Sequence, residues 1–300
     1  MSVKLRAPTL DDLELLTDLI NRDAVELYGT PEENIESMRL WLTGPGLDPV
    51  TDIRVAVEDG SFRGYVDIDD DPHPIYYVDL RVPPSELDEI RVALLDWAER
   101  RGAERGAERL RFHNPSVDAS TIKLLEGRGY GLIRHFYRMR IDFDADLAAP
   151  GWPDGLTVRP ATKDDAPRVY EAHQDSFRDH WEFHRQPYEE WEHHLLHGPF
   201  DPSLWFLVED GDELAAVAIN REHEAEEGLG WVSVLGVREQ WRRRGLGRAL
   251  LLHTFHEFRR RGFHSAALGV DADSLTGANR LYESVGMRVI RRGDVYEKAM

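Results

Sequence analysis

The sequence contains no cysteine, which excludes disulfides, thiolate metal sites and a cysteine nucleophile, so any chemistry must run on other groups. It is also short of positive charge. Lys and Arg number 37 against 56 Asp and Glu, a formal net charge of -19, which argues against general binding along a nucleic-acid backbone. No apolar run approaches the roughly 20 residues that cross a bilayer, and the start, Met1-Ser2-Val3-Lys4-Leu5-Arg6, has no secretory pattern. These absences lead to the expectation of a cytoplasmic protein with no nucleic-acid or membrane partner. What is present is ordinary for a globular chain, 41% hydrophobic and 31% charged over 300 residues. That length suits two domains of about 150 residues better than one core.

An internal repeat supports the division. Arg6-Ala7-Pro8-Thr9-Leu10-Asp11-Asp12 returns as Arg159-Pro160-Ala161-Thr162-Lys163-Asp164-Asp165, and Val57-Glu58-Asp59-Gly60 as Val208-Glu209-Asp210-Gly211. Lys123-Leu124-Leu125-Glu126 matches Arg280-Leu281-Tyr282-Glu283. The offset drifts only from 151 (Val57 to Val208) to 157 (Lys123 to Arg280), so one ancestral domain occurs twice, head to tail. A stretch rich in Ala, Pro, Gly and Asp separates the copies. The expected organisation is therefore a first domain at 1–143, a linker at 144–155 and a second domain at 156–300. In each copy the pattern predicts a strand, one or two helices, an Asp-Gly hairpin, a central strand and a helix. A closing strand, short helix and strand follow, giving an α+β domain with helices flanking a mixed, mostly antiparallel sheet.

The copies differ sharply at one place. After the apolar run Val232 to Val237, the second copy reads Arg238-Glu239-Gln240-Trp241-Arg242-Arg243-Arg244-Gly245-Leu246-Gly247-Arg248 and continues into a helical pattern. Glycines that turn the chain, next to the unpaired first-turn N–H groups of a helix, make a seat for an anion. The first copy has Val82-Pro83-Pro84-Ser85-Glu86-Leu87-Asp88-Glu89 instead. Its prolines have no N–H and its carboxylates would repel a diphosphate. Had the fold alone required the glycines, both copies would carry them.

The turn Arg242-x-x-Gly245-x-Gly247 after Leu235-Gly236-Val237, with Leu281-Tyr282-Glu283 and Gly286-Met287 further on, resembles the GCN5-related N-acetyltransferase (GNAT) superfamily. The resemblance covers nearly all of 156–300; the first copy looks like a degenerate version, and the tandem layout is similar to that of mycothiol synthase relatives. It implies two tandem acyl-CoA N-acyltransferase domains, with acetyl-CoA as cofactor and an amine as acceptor. It further implies that the turn from Arg242 through Arg243, Arg244, Gly245, Leu246, Gly247 and Arg248 holds the coenzyme A diphosphate. Leu235 and Val237 would meet the pantetheine arm, and Ser274 stands where an asparagine often begins the last helix. Tyr282 matches the tyrosine that protonates the departing thiolate in many members; Leu125 occupies its place in the first copy, so packing alone does not demand a phenol. The glutamate that many members carry on the central strand is missing from Trp231-Val232-Ser233-Val234, so the resemblance assigns no base.

For the acceptor wall, the stretch Asp179 to Trp191, expected to be helical, has the right chemistry. Glu182 and His180 can take a proton from an ammonium group, while Trp181, Phe183, His184 and Tyr188 can shape a pocket. An apolar-core role for these aromatics is the alternative. His193, His194 and His197 form no regular ligand motif, so no metal is expected. Two functional readings stay open: transfer of an acetyl group to a small-molecule primary amine (alternatively a protein N-terminus or lysine), or a non-catalytic coenzyme A sensor or scaffold. A monomer fits a chain whose two domains can form a pseudo-dimer.

Overall fold

The computed structural model describes residues 3–44, 47–70, 74–144, 146–196, 201–223, 226–274 and 277–300. The repeated Arg…Thr…Asp motif proves to be a local clasp. Asp12 accepts a bidentate pair from Arg6 (2.7 and 2.8 Å) and the Thr9 N–H (2.8 Å), and Asp165 does the same with Arg159 (2.8 Å) and Thr162 (2.9 Å). Each clasp joins the end of a first strand to the start of a first helix, which is why both copies kept it. The Arg6 guanidinium holds the Asp12 carboxyl at about 2, and Arg159 holds that of Asp165 lower still.

In chain order the elements are β1 (Lys4–Arg6), α1 (Leu13–Tyr28), α2 (Ile35–Thr43), α3 (Pro49–Asp52), β2 (Ile53–Glu58), β3 (Ser61–Asp70), β4 (Ile75–Arg81), α4 (Asp88–Glu104), β5 (Arg109–Pro115), α5 (Ala119–Gly127) and β6 (Gly131–Asp142). The second copy supplies β7 (Leu156–Pro160), α6 (Ala166–Phe177), α7 (Tyr188–Leu196), β8 (Phe206–Asp210), β9 (Glu213–Glu222), β10 (Leu229–Val237), α8 (Leu246–Arg260), β11 (Ser265–Asp271), α9 (Ala278–Ser284) and β12 (Arg288–Ala299). No helix among the described residues is long and apolar enough to cross a membrane.

The chain divides into two compact units, 1–136 with 292–300, and 137–291. This differs from the expected boundaries at both closing strands. Residues 137–143, expected in the first domain, lie in the second unit, where Met139, Ile141 and Phe143 share a core with Leu251, Phe255 and Leu268. Residues 292–300 lie in the first unit, where β12 pairs antiparallel with β5 and Tyr296 joins the core of Leu110 and Phe112. The reason is that a closing strand is defined by the edge it completes, which local pattern does not specify. The stretch expected as a linker belongs to the second unit, and Trp152 in it meets the His253 ring at 5.8 Å.

Within the first unit the strand order is β1-β2-β3-β4-β5-β12; within the second it is β7-β8-β9-β10-β11-β6. The β4–β5 and β10–β11 pairs are parallel, and the other neighbours with a defined register are antiparallel. In the second unit α6 covers one face, burying Val169 and Ala172 with Trp191, Leu207 and Val217. Residues of α8 serve the other face, where Leu246 and Leu250 pack with Phe206, Val208 and Ala218.

Candidate functional site

The parallel ladder between β10 and β11 is short. It runs from Leu229↔Ser265 to Trp231↔Ala267, although β10 continues to Val237 and β11 to Asp271. On the other edge of β10 the pairing with β9 shifts register between Val232 and Val234, so Ser233 is an inserted residue that bends the strand. Past Trp231 the two parallel strands therefore part, and the β11-facing backbone of Leu235 and Val237 is left without a ladder partner. An extended chain can pair with such an edge.

The basic turn closes the open end. Trp241 anchors it, buried, with its indole N–H donating to Asp210 at 2.8 Å. Gly245 then takes the left-handed conformation (φ +84°) as N-cap of α8, and Arg243 is left-handed too (φ +61°); only at such positions does backbone geometry favour glycine so strongly. The N–H groups of Arg243 to Arg248 find no acceptor among the described residues. The side chains of Arg243, Arg244 and Arg248 are exposed and make no ion pair with a described residue. A run of free N–H groups at the positive end of a helix, ringed by cations, matches the charge and donor count of a diphosphate.

Gly247 brings the parts together. A Cβ there would lie 3.3 Å from Leu281 and 3.7 Å from Val237, so the first turn of α8 sits close to both the end of β10 and the helix that bears Tyr282. Leu246 is buried beneath it. Tyr282 is 8% exposed, its hydroxyl makes no hydrogen bond to a described residue, and burial pushes its phenol up to about 12. It stays protonated across the physiological range, as a proton donor must.

Arg242, expected among the phosphate contacts, points the other way. Its guanidinium donates to the Val237 carbonyl (3.1 Å), the Ser176 carbonyl (3.0 Å) and Asp179 (2.5 Å). Ser274 also differs from expectation. The helix starts at Ala278 behind a left-handed Gly277, so Ser274 lies in the preceding turn, where its carbonyl accepts from Gly277 (3.2 Å), and it is no cap. The asparagine looked for at 274 has a counterpart that sequence reading missed. Asn279, in the first turn of α9, donates its amide to the carbonyls of Asp271 (3.2 Å) and Ala272 (2.8 Å), tying α9 to the end of β11. An asparagine three residues before Tyr282 was the available signal.

The stretch from Asp179 is a loop up to Pro187 and becomes helical only at Tyr188. Glu182 is left-handed (φ +49°), and Pro187 disfavours helix before it. Glu182 and His184 are exposed, and the ring of His184 lies 3.2 Å from the Glu182 carbonyl. Trp181 and Phe183 are half-buried. Tyr188 is half-buried and packs against the core: its ring meets Tyr170 at 5.3 Å and Trp191 at 5.8 Å, and its hydroxyl donates to Glu192 at 3.1 Å. His180 stacks on Phe177 at 4.2 Å; partial burial lowers its pKa while the Asp271 carboxylate opposes that shift. Asp271, unassigned from sequence, thus belongs to the surroundings of His180. His173, one turn earlier on α6, meets the Phe177 ring edge-on (4.8 Å) and accepts a hydrogen bond from the Trp191 indole N–H on Nδ1 at 2.8 Å; burial lowers its pKa to about 4 and keeps it neutral. His197 lies outside the described residues, among which no group of three or more His, Asp or Glu is arranged to hold a metal ion.

A profile of the acetyltransferase (GNAT) family matches residues 166–287, all within the second unit. The chain is 31% identical over 255 residues to a mycothiol acetyltransferase of Streptomyces scabiei, covering 84% of this chain and 80% of that one. Among solved structures, a GCN5-related N-acetyltransferase from Sphaerobacter thermophilus superposes with a TM-score of 0.80 at 29% identity, covering 99% of this chain and 95% of that one. A tandem GNAT protein from the clavulanic acid biosynthesis pathway shares the fold, with a TM-score of 0.78 at 16% identity over 99% of this chain and 98% of that one.

Proposed function

Because the chain belongs to the acetyltransferase (GNAT) family and is an N-acetyltransferase of tandem GNAT fold, we propose that its second unit transfers an acetyl group from acetyl-CoA to a primary amine of a small molecule by direct attack. The observation that carries the reading is the seat at Arg243 to Arg248, whose N–H groups have no acceptor among the described residues, at the mouth of strands that part.

Acetyl-CoA, when bound, supplies an activated thioester and a diphosphate. The N–H groups of Arg243 to Arg248 hold the diphosphate, with Arg243, Arg244 and Arg248 adding charge-assisted contacts. The open edge at Leu235 and Val237 pairs with the pantetheine amides and polarises the thioester carbonyl through a backbone N–H. His180, whose lowered pKa favours the neutral imidazole, takes the proton from the acceptor ammonium, with Glu182 as the alternative. The amine nitrogen then forms the C–N bond as the C–S bond breaks, and Tyr282 gives its proton to the leaving sulfur. Trp181, Phe183 and His184 line the amine's approach. Among candidate acceptors, those of the class handled by mycothiol acetyltransferases take first place because that relative spans most of both chains.

The test is an amine panel assayed by release of free coenzyme thiol, with coenzyme A binding measured in parallel. Turnover on a small amine with one coenzyme bound per chain is expected. Tight coenzyme binding with no turnover on any amine would replace the enzyme reading with the sensor reading.

A further inference from the structure

Arg242 belongs to the basic turn, yet each of its three guanidinium nitrogens donates within the protein, and its charged partner is Asp179. Asp179 stands just past the end of α6, beside a close approach of helix and strand: a Cβ on Gly236 would lie 2.9 Å from Ser176. A carboxylate that reached a row of free N–H groups would itself be a ligand for them.

The first unit shows what such a carboxylate does when no arginine intercepts it. The repeat offset that equates Arg6 with Arg159 and Asp12 with Asp165 equates Glu26 with Asp179. Glu26 accepts the backbone N–H of Ser85 at 2.8 Å and the Ser85 hydroxyl at 2.7 Å, in the turn that leads into α4. In that unit, then, the acid from the first helix occupies the turn, where the second unit keeps its N–H groups open. The two units differ at one further point: the first has no arginine in the turn from Val82 to Asp88, while the second has Arg242.

We propose that Arg242 is a positioning residue that holds the Asp179 carboxylate away from the N–H groups of Arg243 to Arg248, so that they stay open for the coenzyme diphosphate. Asp179 is by the same argument a latent internal competitor for that seat. Neighbouring ion pairs hold the same two segments in register, Arg238 with Asp175 at 2.8 Å and Arg178 with Glu239, so the loss of Arg242 alone leaves Asp179 close by. This inference rests on the coenzyme reading of the seat.

The experiment is a double-mutant cycle read as the calorimetric Kd for coenzyme A, with thermal midpoints to verify folding. Arg242→Gln is expected to weaken binding about tenfold or more, on the scale of a mispaired charge at a charged binding site. Asp179→Asn is expected to bind within about threefold of wild type, and Arg242→Gln combined with Asp179→Asn to return to that level. A purely structural role for the pair gives the opposite pattern, with the double variant as weak as Arg242→Gln or weaker, and that result overturns the inference while leaving the seat intact. Failure of the wild-type protein to bind coenzyme A overturns the seat, and the inference with it.

Discussion

The two units build the same register from opposite chemistry. Asp67 faces Asp79 and Tyr65 faces Arg81 across β3 and β4; at the matching places of β9 and β10, Ile219 faces Val234 and Val217 faces Gly236. In the second unit small and apolar residues leave the strand free to bulge at Ser233 and let α6 approach Gly236. In the first, β4 pairs with β3 without a shift, and Arg81 fills the space by pairing with Asp79 (2.7 Å), Glu32 (3.4 Å) and Asp23 (3.9 Å). Its turn is closed from within as well: the buried Arg91 donates to the carbonyls of Val82 (2.8 Å) and Pro83 (2.9 Å). Duplication kept the scaffold, and one copy ties up the polar groups of its turn internally while the other keeps backbone N–H groups there that no described residue accepts.

The largest expected effect that sharpens this contrast is at Tyr282, whose counterpart Leu125 is fully buried in the first core. Tyr282→Phe is expected to lower kcat by about 10² to 10⁴, the usual yield of general acid catalysis, with coenzyme A affinity nearly unchanged. Equal turnover in the two proteins removes Tyr282 as the acid. A pH profile adds an independent check. With the phenol raised to about 12, the wild-type kcat should show no descending limb from this group below about pH 11; a fall between pH 8 and 9 that vanishes in Tyr282→Phe would keep the phenol as the acid and contradict its upward shift.

Next in size is Gly245→Val. Nothing within 4 Å obstructs the new side chain, so its effect isolates the left-handed backbone. Coenzyme A is expected to bind about tenfold more weakly, consistent with a strain of about 1–3 kcal/mol. An unchanged Kd would mean that the turn does not need this conformation to hold its ligand.

The clasps come third, as the feature the units share. Asp165→Asn is expected to lower unfolding stability by about 1–2 kcal/mol at pH 7, since it weakens a bidentate pair and a cap together. The folded-state pKa of Asp165 lies below its unfolded value, so its contribution is present above about pH 4 and fades as the solution is acidified. The wild type and variant should therefore converge in thermal midpoint at low pH.

The smallest expected effect distinguishes the units again. Burial raises the Asp67 carboxyl, and raises that of Asp23 to about 7. A carboxyl with a folded pKa above its unfolded value loses stability as pH climbs between the two. Asp67→Asn, which removes that ionisation beside Asp79, should raise the midpoint by a few degrees at pH 8 and by less at pH 5. A larger gain at pH 5 would reverse the sign of the argument.

Much of this was legible from residue order. Two copies, their strands and helices, and the loss of the glycine turn in one of them follow from repeats, periodicity and turn chemistry, all of which act over a few neighbouring residues. The loop character of 178–187 was less legible, since its apolar and charged residues read equally well as a helix until Glu182 and Pro187 are seen in place. The placing of Tyr188 against the core was hidden too, because an aromatic wall and an aromatic core have the same composition.

By itself, then, the sequence determined that a domain was doubled, what elements each copy contains and which copy carries the basic glycine turn. Only the tertiary structure decided that the closing strands complete each other's units, that Asn279 rather than Ser274 braces the last helix, and that Arg242 turns from solvent to Asp179, 63 residues earlier in the chain. Backbone conformation is set largely by adjacent residues, whereas the partner of a long charged side chain is whatever the fold brings within its reach.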